Sequence, residues 1–223
     1  VTDARLEVLT AVWALVPTPE RPVLIAVDGP DGAGKTTFAD ALVEEAPGRV
    51  VVRASLDDFH HPRAHRHAGG RTGETVWARG FDYDAVRREL LEPWRHGVGT
   101  AYRRRWHDLA TDASLDETPS RVPGLGVLVV DGVFAQRPEI HDAWDFVVYV
   151  DASDEVRVMR MAGRDGVSAD ADHPDQRRYL DAQHIYLTRC RPRERADVVI
   201  DNTDPATPVI VRITSGRVTR RAE

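Results

Sequence analysis

Apolar runs of strand length recur along the chain at residues 23–27, 49–53, 127–130, 146–150 and 196–200. They are rich in valine and isoleucine, which suit a pleated, buried surface. Helical spacing fills the intervals. Leu6, Leu9, Val12, Trp13 and Val16 recur at three and four residues, which predicts an amphipathic helix within residues 1–18, stopped by Pro17 and Pro19. Residues 38–46 keep helical spacing up to Pro47-Gly48. Val86, Leu90, Leu91 and Trp94 form the inner face of a helix behind Phe81-Asp82-Tyr83-Asp84. Ser153 reads as an N-cap, with Asp154 and Glu155 in the first turn behind it. Pro174 suits a helix start, and Pro192 ends that helix.

Strand and helix thus alternate along the whole chain. The pattern predicts an α/β fold: one domain over residues 1–223, built on a doubly wound, mostly parallel five-stranded sheet. Three stretches stand outside the alternation. Residues 61–80 hold Pro62 and four glycines and read as a long loop. Residues 108–123 are polar and punctuated by proline, a loop or hairpin. Residues 209–213, followed by Ser215-Gly216, predict a short terminal hairpin within 205–223.

One stretch carries explicit chemistry. Gly29-Pro30-Asp31-Gly32-Ala33-Gly34-Lys35-Thr36-Thr37 fits G-x-x-x-x-G-K-T between a strand and a helix. Glycines let the backbone turn its N–H groups around an anion, and the helix N-terminus adds partial positive charge. The motif predicts a nucleotide triphosphate held by Gly29, Asp31, Gly32, Ala33, Gly34, Lys35, Thr36 and Thr37. Lys35 is expected on the β/γ-phosphates and the Thr36 hydroxyl on Mg²⁺.

Composition sets bounds on the rest. With 42% hydrophobic and 30% charged residues, the 223-residue chain has the make-up of a soluble globular domain. A net charge of -6 argues against broad nucleic-acid binding. No apolar run approaches the length of a membrane span, and the first residues do not resemble a signal peptide. The lone Cys190 excludes an internal disulfide and fits a reducing, cytoplasmic setting.

Further candidates sit where strands end, since ligands in open α/β sheets bind beyond the carboxyl ends of strands. Asp57 and Asp58 follow the second strand and read either as chemistry or as ordinary turn acids. Residues 127–130 followed by Asp131 have the shape of a Walker B segment. The histidines between His60 and His67 lack the helix that would align them on a metal, so they read as solvated loop residues. Arg103, Arg104 and Arg105 beside Tyr102 and Trp106 either face a phosphate or base, or lie on a solvated edge.

Taken in order, these marks resemble the uridine kinase group of P-loop kinases, to which phosphoribulokinase and bacterial pantothenate kinase are also similar. The likeness rests on Gly29 to Thr37, Ser55-Leu56-Asp57-Asp58-Phe59, Phe81-Asp82, Tyr102 with His107, Asp131-Gly132, Asp151, the Arg157–Arg160–Arg164 series, and residues 196–200. It spans about residues 22–203. It implies an ATP- and Mg²⁺-dependent kinase acting on a hydroxyl, with the 5′-hydroxyl of a pyrimidine nucleoside as acceptor. Asp57 would be the general base, Lys35 and Arg164 would stabilise the transferring group, and Thr36, Asp57 and Asp131 would serve the metal. Arg160 and Asn202 would touch the nucleotide. Phe59, His60, Asp82, Tyr102 and His107 would line an acceptor region within 57–110, and residues 160–175 would form a lid. The partner is then a small molecule, with no role for nucleic acid or membrane, and a homo-oligomer is compatible with the pattern.

Departures from that group concern the acceptor. His60 stands where those kinases carry Tyr, and the lid after Arg164 is rich in Asp. Two other readings therefore stand beside the nucleoside one. One is a kinase for another alcohol, such as pantothenate or a sugar, because the arginines and histidines from His60 to Arg71 suit an anionic acceptor. The other is a nucleotide-dependent regulatory module with no acceptor pocket.

Overall fold

The computed structural model describes residues 2–165 and 173–214, apart from the side chains of Arg164, Asp165 and Asp175. The sheet has six strands: β1 (Val23–Asp28), β2 (Val51–Ser55), β3 (Val127–Asp131), β4 (Phe146–Asp151), β5 (Val198–Asp201) and β6 (Val209–Ile213). Their order is β6-β5-β4-β1-β3-β2. The first five are parallel, as the alternation predicts. The expected strand at residues 209–213 forms, and as β6 it adds to the sheet antiparallel to β5, with a bulge between Ile210 and Arg212. Ser215 and Gly216 lie outside the described residues.

Alternation along β1 shows why the sheet is covered twice. Val23, Ile25 and Val27 face a layer with Leu9, Val12, Trp13, Phe38 and Leu42. Leu24 and Ala26 face the opposite layer, with Trp77, Leu90, Leu91, Trp94 and Tyr186. Side chains two apart share a face of a strand, so each face acquires its own core. Helices α1 (Asp3–Leu15) and α2 (Lys35–Glu44) build the first layer. The Trp13 indole donates to the Leu42 carbonyl at 2.8 Å and ties them together.

The stretch 61–80 is not the loop its glycines and proline suggest. After a short turn at Arg63–Arg66, helix α3 (Gly73–Arg79) forms behind a capping box between Thr72 and Thr75. Gly73 is there for closeness: a Cβ would stand 2.5 Å from that of Asp181. The next helical run, α4 over residues 83–96, widens into a π-helical stretch at Val86–Leu91. Pro93 cannot donate back to the Glu89 carbonyl, and the Arg103 N–H takes that acceptor instead at 2.9 Å. The polar stretch beyond it forms two small ladders, Ala101–Tyr102 with Ser120–Arg121 and His107–Asp108 with Ala113–Ser114. Helices α5 (Asp154–Asp165) and α6 (Pro174–Cys190) follow β4. Among the described residues no helix is long and apolar enough to cross a membrane.

Candidate active site

Parallel strands bring their carboxyl ends to one edge, and the singled-out acids gather there. Register puts Asp131 beside both Val27 and Ser55, so the loop after β1, the turn after β2 and the acid of β3 are neighbours. The loop after β1 is the glycine-rich motif. At Gly32 φ is +77°, and a Cβ would lie 2.4 Å from the Arg157 carbonyl oxygen. At Gly34 φ is +89°, and a Cβ would lie 2.6 Å from the Asn202 amide nitrogen. Larger residues would be strained at both positions and would collide with Arg157 or Asn202, which pack against the loop. Gly32, Gly34, Lys35, Thr36, Thr37 and Arg160 line one hollow at the start of α2.

Hydrogen bonds hold this cradle from several directions. Lys35 Nζ donates to the Pro30 carbonyl at 2.9 Å. Asn202 Nδ2 donates to the Ala33 carbonyl at 2.7 Å. Arg160 donates to the carbonyls of Gly32 at 3.2 Å and Thr203 at 2.9 Å. Arg157 Nε donates to the Asp31 carbonyl at 3.1 Å, while its guanidinium also bonds Asp154 and Gln183. Gln183 Nε2 in turn donates to Asp31 Oδ2 at 2.9 Å. Asp28, at the end of β1, is fully buried and accepts from Gly29 N, Gln136 Nε2 and the Tyr186 hydroxyl. Burial pushes its carboxyl up from the usual range, and those donors work against the rise.

The Thr36 hydroxyl donates to Asp131 Oδ2 at 2.6 Å. Arg53 pairs with the other oxygen of Asp131 at 2.8 Å and with Asp40 at 2.9 Å. A hydroxyl and a buried carboxylate this close, at the mouth of an anion cradle, are a donor set suited to a hard divalent cation. Outside this pair, the described residues contain no group of three His, Cys, Asp or Glu arranged to hold a metal ion.

A second cleft opens beside the cradle. Asp31 and Asp57 line it together with His60, Phe81, Arg66 and Arg178. Asp57 is exposed in a single turn, Leu56–Phe59, and the Ser55 hydroxyl accepts from its N–H at 3.3 Å. His60 Nδ1 lies 2.9 Å from the Asp57 carbonyl oxygen. Burial lowers the His60 imidazole to about 4, so the ring is neutral at pH 7 and Nδ1 donates.

Other acceptor candidates do not line this cleft. Phe59 is fully buried in the core. Asp82 caps α4, accepting from the Ala85 N–H at 2.9 Å. Tyr102 is buried edge-on against Trp94, with ring centres 5.5 Å apart. His107 is buried too, with Nε2 3.4 Å from Asp112 Oδ1. The neighbouring arginines are engaged locally: Arg103 pairs with Glu89 at 2.8 Å, Arg105 with Asp58 at 3.1 Å, and the Arg104 N–H donates to Glu117 at 2.7 Å. The Arg164 side chain and residues 166–172, the middle of the expected lid, lie outside the described residues. Cys190 is buried and unbridged, and burial pushes its thiol up.

Several residues of the site had no signal in the sequence. Gln183 and Tyr186 lie three apart on α6, a spacing that reads as ordinary core. Arg53 sits inside a β-branched strand, and only the register of β2 against β3 brings it to Asp131.

The fold and the cradle define a P-loop NTPase, with a mostly parallel sheet flanked by helices. A protein-family model described as "AAA domain" matches residues 25–181, and the chain belongs to that family. It is also related to uridine kinases and phosphoribulokinase at moderate identity. Phosphoribulokinase of Synechocystis sp. is 28% identical over 194 residues, covering 81% of this chain and 54% of that protein. The chain thus spans about half the length of that relative. Uridine kinase of Lactococcus lactis is 28% identical over 189 residues, covering 81% of this chain and 88% of that protein. A Bacillus stearothermophilus protein described as a possible uridine kinase superposes with a TM-score of 0.66 at 25% identity, over 87% of this chain and 96% of that one. D-glycerate 3-kinase from Cryptococcus neoformans shares the fold, with a TM-score of 0.54 at 13% identity.

Proposed function

We propose that the chain is an ATP-dependent kinase that transfers the γ-phosphoryl group to a hydroxyl of a small molecule. The observation that carries the reading is the shared cleft, where Asp57 and the P-loop residue Asp31 line one space beside the phosphate cradle. In the transfer an acceptor oxygen forms a bond to the γ-phosphorus, and the bond from that phosphorus to the β–γ bridging oxygen breaks. ADP leaves, and Asp57 takes the acceptor proton. Lys35 exchanges the Pro30 carbonyl for phosphate oxygens, and Arg160 flanks the same hollow. Thr36 and Asp131 would hold Mg²⁺, with Asp57 as a further candidate ligand, and the ion would supply charge neutralisation on the phosphates.

For the acceptor, the cleft favours an alcohol other than a nucleoside. Arg66, Arg71 and Arg178 line it beside an apolar wall, and Asp82, Tyr102 and His107, on which the nucleoside reading leans, are capping or buried. The nucleoside remains the second reading, supported by the likeness to uridine kinase over 88% of that protein's length.

ADP release measured over a panel of alcohols tests the proposal. Asp57→Asn should lose roughly 10²-fold or more of the stimulated rate while ATP still binds. Full activity in that variant removes Asp57 as base. Slow hydrolysis that no alcohol stimulates would favour the regulatory module.

A further inference from the structure

Two hydrogen-bond acceptors line the cleft beside Asp57 and come from separate parts of the chain: Asp31 of the P-loop and His60 behind the turn after β2. Both residues are half-buried, and each is anchored at one end. Arg157 Nε donates to the Asp31 carbonyl at 3.1 Å and fixes its backbone. Gln183 Nε2 donates to Asp31 Oδ2 at 2.9 Å and fixes its carboxylate. Among the described residues no group donates to the other oxygen, Oδ1.

His60 is anchored in the same manner. Its ring lies against Phe81, with centres 4.2 Å apart, and its Nδ1 stands 2.9 Å from the Asp57 carbonyl oxygen. A carbonyl only accepts, so the ring proton belongs on Nδ1, and the neutral ring offers Nε2 as an acceptor. No described residue bonds Nε2. The Asp31 charge acts on this ring and opposes the fall of its pKa, so the two groups face one space. Asp82, which the family resemblance gives to the acceptor, caps α4 instead and does not line the cleft.

We infer that Asp31 and His60 read hydroxyl groups of the acceptor neighbouring the one that is phosphorylated, so that the acceptor is a polyol. One hydroxyl would meet Asp57, and others would donate to Asp31 Oδ1 and His60 Nε2. A hydroxyl is the small neutral group that supplies such a donor. An ammonium group would donate too, but Arg66 on the same cleft repels it. An alcohol with a single hydroxyl would displace water from both acceptors and return no hydrogen bond, so the site selects against it. This inference rests on the kinase reading and narrows its acceptor class. It goes beyond that reading in assigning two residues to specificity.

The test uses the full chain with ATP at about pH 8, where an imidazole is neutral. Each polyol is paired with an analogue lacking hydroxyls: glycerol with 1-propanol, D-glycerate with 3-hydroxypropanoate, and uridine with 2′,3′-dideoxyuridine. In a pair that is turned over, kcat/KM should favour the polyol about 10- to 100-fold. Both members use the same nucleotide, so any effect of a variant on ATP binding or folding cancels in that ratio. Asp31→Asn keeps an oxygen for Gln183 and removes the charge, while His60→Phe keeps a ring on Phe81 and removes Nε2. Each should cut the ratio about threefold to tenfold. A ratio near one in the wild type, or the same ratio in both variants, overturns the inference and leaves the kinase standing. Thermal-shift binding, with a non-hydrolysable ATP analogue present, separates the opposite failure. Protection by a polyol and not by its analogue, lost in Asp31→Asn or His60→Phe and without turnover, would keep the polyol site and sink the kinase. Neither turnover nor protection by any polyol overturns both.

Discussion

The Tyr186 hydroxyl donates to Asp28 Oδ2 at 2.5 Å, joining α6 to the last residue of β1 just before the phosphate cradle. Both groups are buried, and the same hydroxyl accepts from the Gln136 N–H at 2.9 Å. Gln183, three residues earlier on α6, holds Asp31 of the cradle. One helix thus grips both ends of the turn that leads into the loop. α6 is also the helix against which Gly73 of α3 packs. The cleft lined by Asp57 and the glycine-rich cradle therefore share a support.

Tyr186→Phe removes one donor from a buried carboxyl and one acceptor from a buried N–H. Loss of about 1–3 kcal/mol is expected, because a buried polar group is left without its partner. Urea denaturation of the two proteins checks it, with the midpoint lowered and the slope unchanged. An unchanged midpoint would mean that water replaces the hydroxyl.

His60 makes stability depend on pH. Its imidazole is held near 4 in the folded chain, first by burial, with Arg66 and His107 adding; the Asp57 carbonyl and Asp31 oppose the fall. The unfolded chain takes up this proton near 6.5. Between those values the unfolded state binds more protons, so stability falls as pH drops from about 6.5 toward 4 and is flat above. With allowance for the exposed edge of the ring, the loss is on the order of 2 kcal/mol. Melting temperature against pH should show this slope in the wild type and a shallower one in His60→Gln. Parallel slopes would assign the acid sensitivity elsewhere.

Much of this could be read in advance, for physical reasons that differ by element. The five parallel strands are apolar enough to announce themselves, and the cradle is a backbone device that only particular residues permit. The part of Arg178 in the second cleft was obscured because it is remote in sequence: it joins Arg66 there only after α6 docks on α3. Helix α3 was hidden by Gly73, whose helical position is dictated by the approach of Asp181 rather than by propensity. The strand nature of β6 was legible in its β-branched run, but its pairing with β5 was not, because that partner is set by the sheet and not by the local pattern. Tyr102 and His107 entered as acceptor candidates through the family resemblance, and only the structure shows that both side chains are buried.

Gly73→Val tests the α3–α6 contact directly. The new side chain would meet the Asp181 Cβ and the Ala182 backbone nitrogen, neither of which can retreat without moving a helix. Overpacking of this kind typically costs about 1–3 kcal/mol. The melting temperature should fall, and the KM for the acceptor should rise more than the KM for ATP, since α3 borders the acceptor cleft through Thr75 and Val76. A variant with unchanged stability would show that the two helices separate readily.

Asp131 is expected to govern the response to Mg²⁺. Its two oxygens face Thr36 at 2.6 Å and Arg53 at 2.8 Å, so a cation placed there must share the carboxylate with a guanidinium already present. Asp131→Asn keeps the shape, removes the charge and leaves Arg53 paired with Asp40 alone. Titration calorimetry of ATP with Mg²⁺, and again with excess EDTA, should show a clear gain from the metal in the wild type. In Asp131→Asn that gain should shrink by about tenfold in affinity, roughly 1.4 kcal/mol. Arg53→Gln should move the other way, because removing a positive charge beside the ligand relieves repulsion of the incoming ion. Equal Mg²⁺ dependence in all three proteins would separate the Thr36–Asp131 pair from metal binding.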